Sequence, residues 1–497
     1  MDFPYLTVII FLPVVGAILI AFIPGLSNSL IRRMAAIFTF IPLALSIYIF
    51  AIFNRSLEMA GVLQFEEKAS WIPTINANYH LGIDGLSLPL VLLMAFLGFL
   101  VVLVSWKIDL RVREYFAWLL LLEASIIGVF CALDLLLFFL FWEVEIVPMY
   151  FLISIWGSGR KEYSAMQYVI FTLFGSALML AGILSLYFTT GSLNMIEIAQ
   201  SNLASSVAVI PLAAIFFLLF IGFAIKLPMF PLHTWLPDAH TDAPTAVSVV
   251  LAGALLKMGG YGMIRLCVTI LPQVAIDYAS ILAALAIVSV LYGAAVTLCQ
   301  TDIKRLIAYS SISHMGYVLL GIFALTQISL TGAALQMFSH GVITGLLFTM
   351  AGVVMHNTHE RDLNKLGGLA RQMPVIVIVF SIAGLGSLGL PSTSGFAAEF
   401  LVFLGSFSST LVAGMKVYTI LAVLGVVLTA GYILWMLQRA FYGPVREQHN
   451  GVADADNMEK VYMFAFVLVI MLVGIYPAIL TDVIKIGISP IVALIGG

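Results

Sequence analysis

Apolar segments long enough to cross a membrane recur along the whole chain of 497 residues. A helix needs about 20 apolar residues to span the hydrocarbon core of a bilayer. Hydrophobic residues make up 62% of the sequence and charged residues 9%, whereas soluble domains have about 45–50% and about 25%. The pattern predicts an all-α integral membrane protein of about fourteen transmembrane helices within the lipid bilayer. We place these spans at residues 5–24, 34–53, 86–106, 115–132, 135–156, 165–188, 207–231, 244–269, 276–299, 306–325, 329–355, 374–406, 412–438 and 459–480.

Lysine and arginine residues are distributed unequally between alternate loops of this predicted topology. Fifteen of the 22 fall in loops after odd-numbered spans, four in the other loops and the tails, and three within spans. Because loops rich in lysine and arginine remain in the cytoplasm, we expect both termini on the non-cytoplasmic side of the inner (plasma) membrane. The N-terminus, MDFPYLTVII, has no basic residue before its apolar stretch, so we interpret it as a retained span rather than a signal peptide.

Motifs for cofactors and metals are missing from the sequence. Cys131, Cys267 and Cys299 lie singly in apolar runs, with no CxxC spacing of the kind that binds iron–sulfur clusters or zinc. There is also no GxGxxG or GxxxxGK[ST] loop for a nucleotide. We therefore expect no cofactor or metal site in this chain, with any redox chemistry on another protein. The small net charge of -3 gives no sign of a nucleic-acid partner.

Two predicted spans are interrupted by residues that break helices. Four prolines occur near residues 226–244, and the sequence near 383–400 is rich in glycine around Pro391. Paired interruptions in corresponding positions of two halves are typical of inverted-repeat transporters. We therefore expect two inverted five-helix repeats, each with a broken helix. The predicted divisions are an N-terminal three-helix segment at 1–114, repeats at 115–270 and 271–438, and a C-terminal helix and tail at 439–497.

Ionisable residues occur deep within several predicted spans. A charge at the centre of a bilayer costs about 2.5–3.5 kcal/mol on insertion scales, so such groups are usually paired, hydrated or part of a pathway. One interpretation is a carboxylate or histidine that serves packing alone; the other is a polar axis in the membrane plane that carries protons. The deep candidates are Glu123, Glu143, Glu145, Lys226, Lys257, His314, His340 and Glu399.

The charges suggest specific partners. We expect Glu143 to pair with Lys226, because a lysine beside a carboxylate keeps its proton and opening the pair would release it. Lys257 could be a lysine whose chain extends to the membrane surface. However, Arg265 follows two turns later and is the better candidate for the membrane surface, so we expect Lys257 to lie deeper in the bilayer.

Two histidines could extend this path. His314 and His340 could be hydrogen-bonded core residues or proton relays. Zinc binding is disfavoured, because no second histidine lies three or four residues away. The roles of Glu123 and Glu145 stay open; Glu145 should point well away from Glu143 on a helix.

Four stretches of the chain resemble a known family. They are FFLFWEVEIVPMYFLISIWG, FAIKLPMFPLHTWLPDAHTDAPTAVSVVLAGALLKMGGYG, QTDIKRLIAYSSISHMGY and LPSTSGFAAEFLVFLGSF. They are similar to the antiporter-like subunits of proton-pumping NADH:quinone oxidoreductase (respiratory complex I), subunit M in particular, and to Mrp-type antiporters. The resemblance implies fourteen helices and two inverted repeats. It also implies a proton-transfer role for Glu143, Lys226, Lys257, His314, His340 and Glu399.

The resemblance leads to a functional hypothesis. The chain is expected to translocate protons, coupled to electron transfer from NADH or a similar donor to quinone. Its expected partners are the L- and N-type membrane subunits, with the quinone and NADH or ferredoxin sites on other subunits. The alternatives are a subunit of an Mrp-type Na+/H+ antiporter or of a membrane-bound hydrogenase, and a purely structural membrane spacer. The sequence does not distinguish H+ from Na+ as the cation.

Overall fold

The computed structural model describes residues 3–201, 203, 208–444, 446, 449 and 451–496, and most of these residues are helical. Residue 207, at which one predicted span begins, lies outside the described residues. The helices are α1 (Tyr5–Phe22), α2 (Asn28–Ile52), α3 (Ser87–Val104), α4 (Val112–Cys131), α5 (Leu135–Val144), α6 (Ile146–Trp156), α7 (Lys161–Thr190), α8 (Met195–Gln200), α9 (Leu212–Lys226), α10 (Trp235–Asp242), α11 (Thr245–Val250), α12 (Leu256–Gly262), α13 (Pro272–Leu298), α14 (Ile303–Phe323), α15 (Gln327–Thr358), α16 (Pro374–Ser387), α17 (Ser394–Phe407), α18 (Met415–Phe441), α19 (Asn457–Ile475) and α20 (Ala478–Ile495). Two π-helical segments, Leu251–Leu255 and Met263–Val268, flank α12.

The multi-pass helical architecture predicted from the sequence is confirmed. Within the described residues, thirteen helical segments are long and apolar enough to cross a membrane, and twelve of them coincide with predicted spans. Of the other two predicted spans, the one at 207–231 contains α9 and ends in the break before α10, and the one at 374–406 is divided into α16 and α17, as the prolines and glycines indicated. The inverted relation of the two halves and the domain boundaries remain predictions.

The thirteenth apolar helix, α20, corrects the expectation of a C-terminal tail. It packs closely on Gly85, where a Cβ would lie 1.9 Å from the Val483 carbonyl oxygen. Near its other end, Ser489 accepts a hydrogen bond of 2.8 Å from Gln327. Gly85 and Gln327 lie at the N-terminal ends of α3 and α15. The helix α20 therefore lies along the face of the bundle at which these two helices begin. That face is the predicted external face, so α20 does not add a further crossing between the other helices.

A β-hairpin also lies at the predicted external face, between α2 and α3. Strand β1 (Gln64–Ile72) pairs antiparallel with β2 (Ala77–Ile83), with Lys68 opposite His80. The turn between the strands places Asn76 in the left-handed region, which asparagine tolerates better than most residues. The hairpin was not predicted, because its strands of 9 and 7 residues are much shorter than a membrane-spanning apolar run.

Burial separates an inner group of helices from an outer one. The segment from Thr245 to Val268 and helices α14 and α15 are almost entirely buried, whereas α1, α2, α7 and α18 keep apolar side chains exposed on one side. Apolar exposed faces suit contact with lipid, which needs no polar partner. The inner helices carry Lys257, His314 and His340, so the fold shields these ionisable residues from lipid.

Candidate proton-transfer site

Lys226 lies at the first helix break, at the end of α9. Pro228 follows two residues later and lacks the backbone N–H that would continue the helix. The Lys226 Nζ contacts Glu145 Oε1 and lies 3.1 Å from the Tyr168 hydroxyl, which in turn donates to Glu145 Oε2 at 2.6 Å. All three side chains are buried. The negative end of the α9 dipole further favours a cation at this position.

The carboxylate that meets Lys226 is therefore Glu145, and the expected pairing with Glu143 is wrong for this structure. Pro148 removes the N–H that would bond to the Val144 carbonyl, and the span is broken into α5 and α6 at Glu145. Residues two apart on a helix point about 200° apart, so only one of the two glutamates can face α9 directly. Glu143 is half-buried, and its Oε1 has no hydrogen-bond partner among the described residues. Pro148 was the sequence signal for this break.

Lys257 is completely buried and does not reach the membrane surface. Its Nζ lies 2.8 Å from His340 Nδ1 and also contacts the Ala252 carbonyl oxygen. Ala252 belongs to the first π-helical segment, where the wider turn departs from the regular ladder of backbone hydrogen bonds. No ion pair joins Lys257 to a carboxylate within the described ranges, so an imidazole nitrogen and a carbonyl oxygen are its polar neighbours.

His314 connects this lysine cluster to the second helix break. Its Nδ1 lies 3.2 Å from Glu399 Oε1, and its Nε2 lies 3.0 Å from the Ser387 hydroxyl. The centroids of the His314 and His340 rings are 5.6 Å apart. Both rings face a cavity that is also lined by Gln336, Ser387 and Glu399. Lys257, His340, His314 and Glu399 thus form a buried series, in which the two histidines share a cavity without a direct hydrogen bond.

The lysine at the first break is not joined directly to this series. Helices α9 and α12 pack closely, since a Cβ on Gly259 would lie 2.6 Å from the Phe223 carbonyl oxygen. Small residues permit this approach, as in other membrane helix pairs. Even so, no hydrogen bond or ion pair among the described residues links Lys226 to Lys257. A proton passing between them would need water or a side-chain movement.

Two further ionisable residues lie outside these contacts. Glu123 is buried against Gly98, and neither of its carboxylate oxygens has a partner in the described part of the chain. His240 was not among the expected site residues, yet it is buried, its ring stacks on Phe348 at 4.5 Å, and both of its nitrogens lack a described partner. Its place in the proline-rich interrupted segment could have drawn attention to it.

Known proteins share both the sequence and the fold. The family described as "NADH:quinone oxidoreductase/Mrp antiporter, TM" matches residues 132–429. The NAD(P)H-quinone oxidoreductase chain 4 1 of Synechococcus elongatus is 43% identical over 487 residues, which cover 97% of this chain and 90% of the relative.

Solved structures agree with the sequence comparisons. A chain of the respiratory complex I from Thermus thermophilus with bound NADH has a TM-score of 0.86 at 28% identity, with 99% of this chain and 100% of that chain covered. A chain of the Mrp complex from Dietzia sp. shares the fold, with a TM-score of 0.85 at 19% identity and full coverage of both chains. This chain therefore belongs to the NADH:quinone oxidoreductase/Mrp antiporter family of membrane subunits.

Proposed function

We propose that this chain is an antiporter-like membrane subunit of a complex I-type NAD(P)H:quinone oxidoreductase and translocates protons across the membrane. The proposal is carried by the buried contacts from Lys257 through His340 and His314 to Glu399. The high identity to an NAD(P)H-quinone oxidoreductase chain favours this function over that of an Mrp-type antiporter, whose solved relative is 19% identical. We also propose that the chain is the M-type subunit and that its buried ionisable residues have the individual roles given below.

The buried series can pass a proton stepwise. A protonated Lys257 donates to His340 Nδ1, so the neutral imidazole carries its own proton on Nε2. His340 Nε2 has no described partner, and the ring shares its cavity with His314. When the proton moves onto Nδ1, the ring can release the Nε2 proton toward His314 through water in the cavity. His314 then passes a proton to Glu399, which is the last group of the series.

The lysine at the first break would start this transfer. In the proposal, electron transfer in other subunits separates Lys226 from its carboxylate, and the released lysine passes its proton toward Lys257. Glu143 belongs to the proposed relay as a second carboxylate near Lys226. The NAD(P)H and quinone sites, and the redox cofactors, are assigned to other subunits, and the adjoining membrane subunits to the L and N types. Both termini would lie on the non-cytoplasmic side of the inner membrane.

A substitution at Lys257 tests the proposed function. Lys257→Met keeps an unbranched side chain of similar length but removes the proton-carrying group. We expect proton uptake by inside-out membrane vesicles, driven by NAD(P)H oxidation, to fall by about 100-fold, the scale of losing a proton-transfer group. Quinone reduction should fall with it because the two are coupled. Lys460→Met, at an exposed lysine, is the matched control.

The amount of assembled complex, measured on native gels, separates loss of transfer from loss of the protein. Normal proton uptake by an assembled Lys257→Met complex would refute the relay. Purification of the tagged chain distinguishes the rival function. A complex that contains iron–sulfur and quinone-site subunits supports the proposal, whereas small membrane partners alone would support an Mrp-type antiporter.

A further inference from the structure

Among the described residues, Glu145 is the carboxylate that forms an ion pair with the buried Lys226. We propose that Glu145, with Tyr168, is the holding site for Lys226, and that Glu143 is a second carboxylate to which Lys226 moves during turnover. Glu145 and Tyr168 would then be positioning residues that set when Lys226 is free to take part in transfer. This inference rests on the proposed function and adds to it a partner that the sequence left without a role.

Both oxygens of the Glu145 carboxylate are occupied. Oε1 contacts the Lys226 Nζ, and Oε2 accepts the hydrogen bond of 2.6 Å from the Tyr168 hydroxyl. Tyr168 also lies 3.1 Å from Nζ, so the three groups form a closed triangle. Burying a lone carboxylate or ammonium costs several kcal/mol unless it is paired and its remaining hydrogen bonds are made. The triangle pairs the two charges and provides acceptors for two of the three ammonium N–H groups.

Two aromatic rings also lie close to the ammonium group. Lys226 Nζ lies 5.6 Å from the centroid of the Trp142 ring and 5.1 Å from that of the Tyr168 ring. Cations within about 6 Å of a ring centroid are attracted to the ring face, most strongly when water is excluded. Trp142 precedes Glu143 on α5, so the residues around the helix break supply both a carboxylate and an aromatic wall to one lysine.

Glu143 provides an alternative position for the same cation. It lies within electrostatic range of Lys226, but its Oε1 has no hydrogen-bond partner among the described residues. On α7, two turns beyond Tyr168, Ser176 is a neighbour of the Glu143 carboxylate. Moving the ammonium from Glu145 to Glu143 breaks no covalent bond, but it leaves Glu145 buried without its counter-ion. That cost keeps Lys226 at Glu145 until a change elsewhere in the complex offsets it.

Substitutions at the two carboxylates test the proposal in the assembled complex. Glu145→Gln should lower NAD(P)H-driven proton uptake by about tenfold or more, even though Glu143 is intact, because a hydrogen bond to a charged group is worth about 1.5–3 kcal/mol. Glu143→Gln should also lower it, because the second position is lost. Glu145→Asp retains the charge and should recover part of the uptake lost in Glu145→Gln. If Glu145 had a purely structural role, restoring its charge would not restore proton uptake in variants that assemble to the same extent.

A hydroxyl deletion tests the third member of the triangle with little risk to folding. Tyr168→Phe removes one hydrogen bond and should lower proton uptake about threefold, from a loss of roughly 0.5–1.5 kcal/mol. Tyr187→Phe is the control, since Tyr187 lies on the same helix about 28 Å further along. Glu162→Gln, at an exposed carboxylate on the same helix, is the control for removing a carboxylate outside the site, and it should leave proton uptake unchanged.

The possible outcomes separate this proposal from the proposed function. Wild-type uptake in Glu145→Gln, together with loss of uptake in Glu143→Gln, would overturn the holding role of Glu145. If Glu145→Gln does not assemble, wild-type uptake in Tyr168→Phe overturns it instead. If Lys257→Met pumps normally, the relay itself is wrong. If Lys257→Met is inactive and Glu145→Gln is normal, only the holding site is wrong.

Discussion

The two helix breaks hold their ionisable residues in opposite ways. Lys226 is the final residue of α9, where unpaired carbonyl groups favour a positive charge. Glu399 lies in the second turn of α17, near an N-terminus whose free N–H groups favour a negative charge. The first break therefore presents a helix end that stabilises the cation it carries, whereas Glu399 lies one turn beyond the helix end that would favour a negative charge.

The surroundings of these two residues differ as well. Lys226 is enclosed by Glu145, Tyr168 and aromatic rings, whereas Glu399 shares a cavity with two histidines. A buried cation in contact with its carboxylate resists separation, whereas imidazoles beside a carboxylate in a small polar cavity can take up and release protons. The first break therefore suits a locked charge pair, and the second break suits proton transfer.

The largest expected effect is at the locked pair. Lys226→Met leaves Glu145 buried without its cation, and breaking a buried pair in this way costs about 3–5 kcal/mol. We expect the assembled complex to become scarce and its thermal denaturation midpoint to fall. Adding Glu145→Gln to Lys226→Met should restore much of the stability but none of the proton uptake. Equal stability of the single and double variants would show that the pair is not locked.

At the second break, we expect substitution of Glu399 to lower proton uptake more than it lowers the stability of the complex. Glu399→Gln keeps the size of the side chain and an oxygen that can accept from His314, so the thermal midpoint should change little. Proton uptake should still fall about tenfold or more, because the amide cannot take up and release the proton. Glu162→Gln, at an exposed carboxylate at the start of α7, serves as control. A marked fall in the midpoint of Glu399→Gln would mean that the two breaks are alike.

The smallest expected effect concerns the orientation of His314. Ser387→Ala removes the hydroxyl that lies 3.0 Å from His314 Nε2, a hydrogen bond worth about 0.5–1.5 kcal/mol. We expect proton uptake to fall by about two- to tenfold, with assembly unchanged. Ser408→Ala, near the exposed end of α17, is the matched substitution. If Ser387→Ala abolished uptake, the hydroxyl would be a member of the relay rather than a support for the imidazole.

Much of the fold could be predicted because it depends on local properties of the chain. Runs of apolar residues predict spans wherever they occur, and Pro228 and Pro391 mark the breaks without reference to any neighbour. The depth of Lys257 followed from its distance to Arg265 along one helix. The β-hairpin and the lateral position of α20 did not follow, because neither short strands nor the direction of an apolar helix can be deduced from hydrophobicity alone.

The partners of the ionisable residues were decided by the tertiary structure. The sequence by itself determined that Glu143, Glu145 and Lys226 lie in membrane spans, but not which carboxylate meets the lysine. That choice depends on the rotation of α5 and α6 about their axes, which Pro148 and packing against α7 and α9 set together. The contact of Lys257 with His340 likewise needs two helices, 83 residues apart in the chain, to approach closely. Hydrophobicity is a property of each segment, whereas a pairing is a property of how segments pack.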